Sequence, residues 1–147
     1  MCGTFGCSRT PHSKECGFNV RDIKNPHEKY MKISVLKSKI HTARVTEANL
    51  HYEGSIAIDE ALMEETGIKE YEKVLVANFT NGNRYETYAI KAPRGTRTIS
   101  VNGAGARYSC VGDTITIFAF AQVEEFEEIK PRIIICDENN NAVRKLL

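Results

Sequence analysis

The chain has no tryptophan and only four prolines. It has almost no net charge, since 20 Lys and Arg stand against 19 Asp and Glu for a formal +1. Binding to nucleic acid through phosphate neutralisation needs a basic excess, so no nucleic-acid partner is expected. No apolar run approaches the roughly 18 residues of a membrane-spanning helix, so no membrane association is expected either. The first 30 residues lack the apolar block of a secretory signal, which points to the cytoplasm. Neither a G-x-G-x-x-G nor a Walker pattern is present. There is no C-x-x-C pair. The five cysteines are an odd count, and Cys2, Cys7 and Cys16 crowd the first 30 residues. Such a set reads as free thiols in a reducing compartment rather than a disulfide framework. Adding His12 gives spacings too loose for structural zinc, and no metal site is expected.

What the chain does have is enough apolar content, 41%, for one packed core without staples. Its composition changes near residue 30. Residues 1–30 are rich in Gly, Ser, Asn, Pro and charges and have no periodicity, so an unstructured N-terminal extension is expected there. Residues 31–147 read as one domain. Alternation over 31–38 and a second run over 40–47 predict two strands, and SIAI at 55–58 predicts a third. Asp59 to Thr66 is the one strong helix, with Asp59 as its cap, Leu62 and Met63 on its apolar side, and Gly67 as its stop. The run 71–80, the Asn81-Gly82 turn and the run 84–91 form a hairpin. A Pro93/Gly95 turn, a strand over 97–102, a small-residue turn GAGA at 103–106, and strands over 114–120 and 131–136 follow. Residues 137–141 read as a turn and AVRKLL as a short tail. Many short strands with few helices predict a small β-barrel. The glutamates at 124, 125, 127 and 128 read as a solvated face.

Residue types alone make a thin case for chemistry. A serine following a glycine is no nucleophile signature. His41 and His51 are candidate bases, but a single histidine on a strand is more often a hydrogen-bonded structural residue. Arg84 and Tyr88 share one face of a strand, and Thr87 takes the other.

The pattern of segments carries more. Lys39-Ile40-His41, VTEANLHYEGSIAID at 45–59, TNGNRYETYAI at 80–90, RGTRTISVNGA at 94–104 and VGDTITIFAF at 111–120 together resemble the pyruvoyl-dependent aspartate decarboxylases. The resemblance begins at Met31, so residues 1–30 are expected to be dispensable, with Met31 as an alternative start. It implies a six-stranded double-psi β-barrel with short helices. It also implies a homotetramer whose sites lie between neighbouring subunits. Residues 105–109, GARYS, match less well, and nothing after residue 122 carries a role by this likeness.

The resemblance implies cleavage between Gly54 and Ser55, with Ser55 becoming a covalent pyruvoyl cofactor that holds L-aspartate as a Schiff base. Decarboxylation to β-alanine and CO₂ would then supply pantothenate and coenzyme A synthesis. Carried over residue by residue, Tyr88 is the proton donor and Thr87 assists self-cleavage. Arg84 and Lys39 bind substrate carboxylate, and Asn102, Gly103 and Ala104 line the site. A maturation factor is a further partner to consider. Two other readings stay open at this point: a pyruvoyl decarboxylase for another acidic amino acid such as glutamate, and a non-catalytic barrel that binds a ligand.

Overall fold

The structure is a computed structural model that describes residues 31–146. The expected N-terminal extension, with Cys2, Cys7, Cys16 and His12, lies outside the described residues. The fold is mainly β, consistent with the double-psi barrel implied by the resemblance. Among the described residues it has nine strands instead of the expected six: β1 (Lys32–Arg44), β2 (Glu47–Asn49), β3 (Ile56–Asp59), β4 (Lys73–Asn78), β5 (Arg84–Ala92), β6 (Ile99–Asn102), β7 (Thr114–Glu124), β8 (Arg132–Cys136) and β9 (Ala142–Leu146). One helix, α1 (Glu60–Thr66), and a 3₁₀ turn (Gly103–Arg107) complete it. The strands run in the order β2-β6-β3-β5-β4-β7-β1-β8-β9.

The two strands expected over 31–47 are largely one. β1 pairs with β7 throughout, but the register slips between Leu36 and Ser38 and again between Ile40 and Ala43. A bulge reverses which residues face inward, so the alternation breaks mid-strand and reads locally as a strand end. Ser38 falls at that break. It is fully buried, and its hydroxyl donates to the Thr66 carbonyl at 2.6 Å. The expected tail AVRKLL is also β-structure. Asp137 Oδ1 accepts from the N–H groups of Asn139 and Asn141, Asn140 turns the chain at φ 58°, and β9 returns antiparallel to β8. β7 continues through Glu124, so the acidic run begins inside a strand, and residues 125–130 are exposed as expected.

Helix α1 forms where its caps predicted. Asp59 accepts from the Ala61 N–H at 2.9 Å, and Gly67 closes the helix at φ 70°. Its buried side chains Leu62 and Met63 join a core of inward strand residues including Ile40, Ile58, Val76 and Ile117, each at most 2% exposed. Burying one such aliphatic side chain is worth about 1.5–3 kcal/mol relative to exposing it.

This packing sets β3 between two partners. It runs parallel to β5 with Ile56 level with Ala89, and antiparallel to β6 with Ile56 level with Val101. Gly54 and Ser55, just ahead of β3, therefore emerge beside the end of β6.

Candidate active site

Both residues of the HYEGS bond sit in the left-handed half of backbone space: Gly54 at φ 99° and Ser55 at φ 92°. For glycine this costs little, but for serine it is a strained conformation that its surroundings must hold. Asn102 supplies that hold. Its backbone N–H donates to the Ser55 carbonyl at 2.9 Å, and its side-chain Nδ2 donates to the Ser55 hydroxyl at 3.2 Å. The Ser100 hydroxyl donates to Asn102 Oδ1 at 3.2 Å, which orients the amide so that its nitrogen faces Ser55. Ser55, Ser100 and Asn102 are all buried, at 3%, 5% and 6% exposure, so these bonds are made away from bulk water.

Gly103 closes the other side. A Cβ at this position would stand 2.7 Å from the Gly54 Cα, 2.8 Å from the Gly54 nitrogen and 3.0 Å from the Tyr52 carbonyl oxygen. Its own φ is 63°. Only a residue without a side chain allows this backbone to lie against the Gly54 segment. Gly54 itself has open space where a Cβ would point. A cavity of about 390 Å³ opens beside the group, lined in part by Asn49, Tyr52, Ser100 and Asn102.

The remaining sequence candidates lie along the sheet. β3 pairs with β5 only from Ile56, level with Ala89, onward, so Thr87 and Tyr88 lie on β5 just before that pairing begins, as Gly54 and Ser55 lie just ahead of β3. Tyr88 is 40% exposed and Thr87 is half-buried on the opposite face of β5. Arg84 stands four residues before Tyr88, about 13 Å away along the strand. It is exposed and lines a cavity of about 250 Å³ with Ala77, Asn78, Phe79 and Gly82. Lys39 is on β1, three strands from β5 and so about 14 Å across the sheet. Its ammonium lies 5.6 Å from the centre of the Phe118 ring. Ala104 is exposed on the 3₁₀ turn. The structure thus brings Gly54, Ser55, Asn102 and Gly103 into one cluster, with Thr87 and Tyr88 on the strand that pairs with β3. It leaves Arg84 and Lys39 on a separate stretch of the same chain.

A family model described as aspartate decarboxylase matches residues 31–143, which include every residue of this cluster. Proteins named aspartate 1-decarboxylase are similar over nearly their whole length. The one from Coprothermobacter proteolyticus is 52% identical over 118 residues, covering 79% of this chain and 98% of its own. The one from Caldicellulosiruptor bescii is 56% identical over 116 residues, covering 78% and 91%. The one from Maricaulis maris is 48% identical over 117 residues, covering 78% and 97%. The chain belongs to the aspartate decarboxylase family.

Within this family member, two features escape a linear reading. Ser100 looks like an ordinary strand residue, and only the folded chain places its hydroxyl on the Asn102 amide. His41, a candidate base in the sequence, stands beside Lys39 on β1. Its Nδ1 is 3.0 Å from the Thr116 hydroxyl, and its ring packs edge-on against Phe79 at 5.6 Å. Burial, with the Lys39 charge adding to it, pushes the His41 pKa below its ordinary value, so the ring is neutral near pH 7. His51, the other candidate, is exposed.

Proposed function

We propose that this chain decarboxylates L-aspartate to β-alanine and CO₂, using a pyruvoyl group made from Ser55 when the chain cuts itself after Gly54. The observation that carries this is the Gly54-Ser55 pair itself: a strained serine with a buried hydroxyl, fixed by Asn102 and backed by Gly103.

The residues present fit the formation of such a group. Ser55 Oγ attacks the carbonyl carbon of Gly54, the C–N bond breaks, the nitrogen takes the hydroxyl proton, and an ester replaces the amide. Removal of the Ser55 α-proton then expels the Gly54 carboxylate from Cβ and leaves a dehydroalanine end on the second fragment. Addition of one water and loss of ammonia convert that end to a ketone. A serine is required at both stages, as nucleophile and as leaving oxygen. Thr87, on the strand that pairs with β3, is assigned to the oxyanion of the first step, which a hydroxyl would stabilise. The pyruvoyl carbonyl would supply an electron sink for loss of the substrate carboxylate.

The other assignments are roles of the chain's own side chains. Arg84 presents a planar fork suited to two-point contact with a carboxylate, and Lys39 adds a second cation. Tyr88, on the strand that pairs with β3, is assigned the proton given after CO₂ leaves. Asn102, Gly103 and Ala104 form the wall against which substrate lies. Arg84, about 13 Å along β5 from Tyr88, and Lys39, three strands from β5, stand apart from the Ser55 cluster of their own chain, and they share their face with the rings of Phe79, Phe118 and Phe120. A homotetramer in which one chain's Arg84 and Lys39 serve a neighbour's Ser55 accounts for both facts. A reducing cytoplasm suits the free thiols Cys110 and Cys136, and the β-alanine formed would feed pantothenate and coenzyme A synthesis.

Intact-mass measurement tests the core of this. Two fragments divided after Gly54, with a ketone in place of the serine on the larger one, are expected for the purified protein. Ser55→Ala should yield one uncut, folded and inactive chain, because the hydroxyl carries both steps and its removal leaves the packing intact. A cut Ser55→Ala chain would refute the proposal.

A further inference from the structure

The wall behind Gly54 is the start of the 3₁₀ turn Gly103–Arg107, and its position depends on what holds the rest of that turn. Tyr85 does so at three points. Its hydroxyl is 2.9 Å from the buried Ser109 hydroxyl. Its ring stacks on Tyr108 with centroids 5.6 Å apart and planes 27° apart. The same ring lies under Gly105, where a Cβ would stand 3.2 Å from its Cε2. Ser109 N–H donates back to the Gly105 carbonyl at 3.1 Å, tying the end of the turn to its middle. Asn78 adds a second anchor from β4. Its Nδ2 donates to the Tyr108 carbonyl at 3.0 Å, to Asp113 Oδ2 at 2.7 Å and to Ser109 Oγ at 3.3 Å.

Tyr85 also belongs to β5, the strand that carries Arg84, Thr87 and Tyr88. It therefore joins the strand paired with β3, into which Gly54-Ser55 leads, to the turn that sets Gly103 against the same bond. Gly103 lies so close to Gly54 that a Cβ on it would overlap the Gly54 backbone. Asn102 leads directly into the turn and bonds Ser55 twice, so a displacement of the turn is passed to Ser55 through it.

We propose that Tyr85, through its bond to Ser109, is a positioning residue for self-cleavage, setting the Asn102–Gly103 wall against the Gly54-Ser55 bond. This rests on the self-cleavage proposed above. Burial pushes the Tyr85 hydroxyl above its ordinary pKa, so it stays neutral and able to share a hydrogen bond with Ser109. Gly105 is the residue that makes room for the ring.

The test follows cleavage of freshly purified precursor by intact mass, with thermal unfolding measured on the same samples. Tyr85→Phe keeps the ring, its stack and its place under Gly105, and loses only the hydroxyl. It should slow cleavage about fivefold to tenfold, the worth of one buried hydrogen bond in the right place. Ser109→Ala should slow it by a similar factor. The double variant should be no slower than the slower of the two, because the Tyr85–Ser109 bond is already lost in each. Ile134→Val, a core change on the distant β8, should lower the unfolding temperature while leaving the cleavage rate as in the native chain. Wild-type cleavage in Tyr85→Phe would overturn the proposal. So would equal slowing by Ile134→Val, which would mean that the rate merely follows stability. Additive slowing in the double variant would also overturn it. Failure of the underlying reading looks different: the native chain stays whole, or Ser55→Ala is cut.

Discussion

Asn102 holds Ser55 at two points, with its backbone N–H on the Ser55 carbonyl at 2.9 Å and its side-chain nitrogen on the Ser55 hydroxyl at 3.2 Å. These bonds fix a serine at a positive φ, a conformation costing about 1–3 kcal/mol that must be supported by its surroundings. The residue that supports Ser55 is followed directly by the glycine that touches Gly54, so support and close approach come from one short piece of chain.

Gly103→Ala is therefore expected to block maturation. The new methyl would sit 2.7 Å from Gly54 Cα, against backbone that has no side chain to rotate away. The positive φ adds about 1–2 kcal/mol for any residue with a Cβ. A single uncut band on a denaturing gel, with a lowered unfolding temperature, is the expected result. Normal cleavage would mean that the wall is not tight.

Arg84→Ala should mature normally and then fail with substrate. Arg84 is exposed, lies about 13 Å along β5 from Tyr88, and is assigned to substrate and not to the scissile bond. Truncating one member of a desolvated, hydrogen-bonded charge pair typically costs about 2–5 kcal/mol. The loss should be read in kcat/KM for aspartate on fully cleaved protein. Unchanged turnover, or an uncut chain, would remove Arg84 from the substrate site.

Tyr88→Phe should also mature, since the phenyl ring can keep its place on β5. Removing a positioned general acid should reduce β-alanine formation by about 10²–10⁴-fold. Cleaved protein that forms β-alanine at the native rate would rule out the proton-donor role.

Stability in acid should depend on Asp59. Burial alone would raise its carboxyl pKa, but the N–H groups of Gly95, Ala61 and Arg97, with the Arg97 charge, outweigh burial and hold it below its ordinary value. A carboxyl with a depressed folded pKa stabilises fully above its unfolded pKa, about 3.9, and loses that contribution as pH falls through the folded value. Asp59→Asn should unfold more readily at pH 7: its amide oxygen can keep the helix cap, but its NH₂ cannot accept from the Arg97 N–H, and leaving such a group unpaired costs about 1–3 kcal/mol. Its stability should then fall less steeply than the native chain's below about pH 4. Parallel urea titrations across pH would check this, and identical slopes would exclude Asp59 as the acid-sensitive group.

The features that the sequence determined alone are those governed by neighbours in the chain. Asp59 and Gly67 cap α1 because capping acts over a few residues. Asn81 and Gly82 turn β4 into β5 because a tight turn needs Gly82 at φ 79°. The HYEGS and SVNGA segments named the family and its candidate residues without reference to any contact. Tertiary structure decided the rest. β1 is one strand because β7 pairs along its whole length and absorbs two bulges, and local alternation sees only the break. The final segment is a strand because β8 offers it a hydrogen-bonding edge, although its own residues are largely exposed. Gly103 meets Gly54, Ser100 aims Asn102, and Tyr85 reaches Ser109 only after the sheet has brought their strands together. Such contacts depend on register and crossing between distant segments, for which a linear pattern carries no local signal.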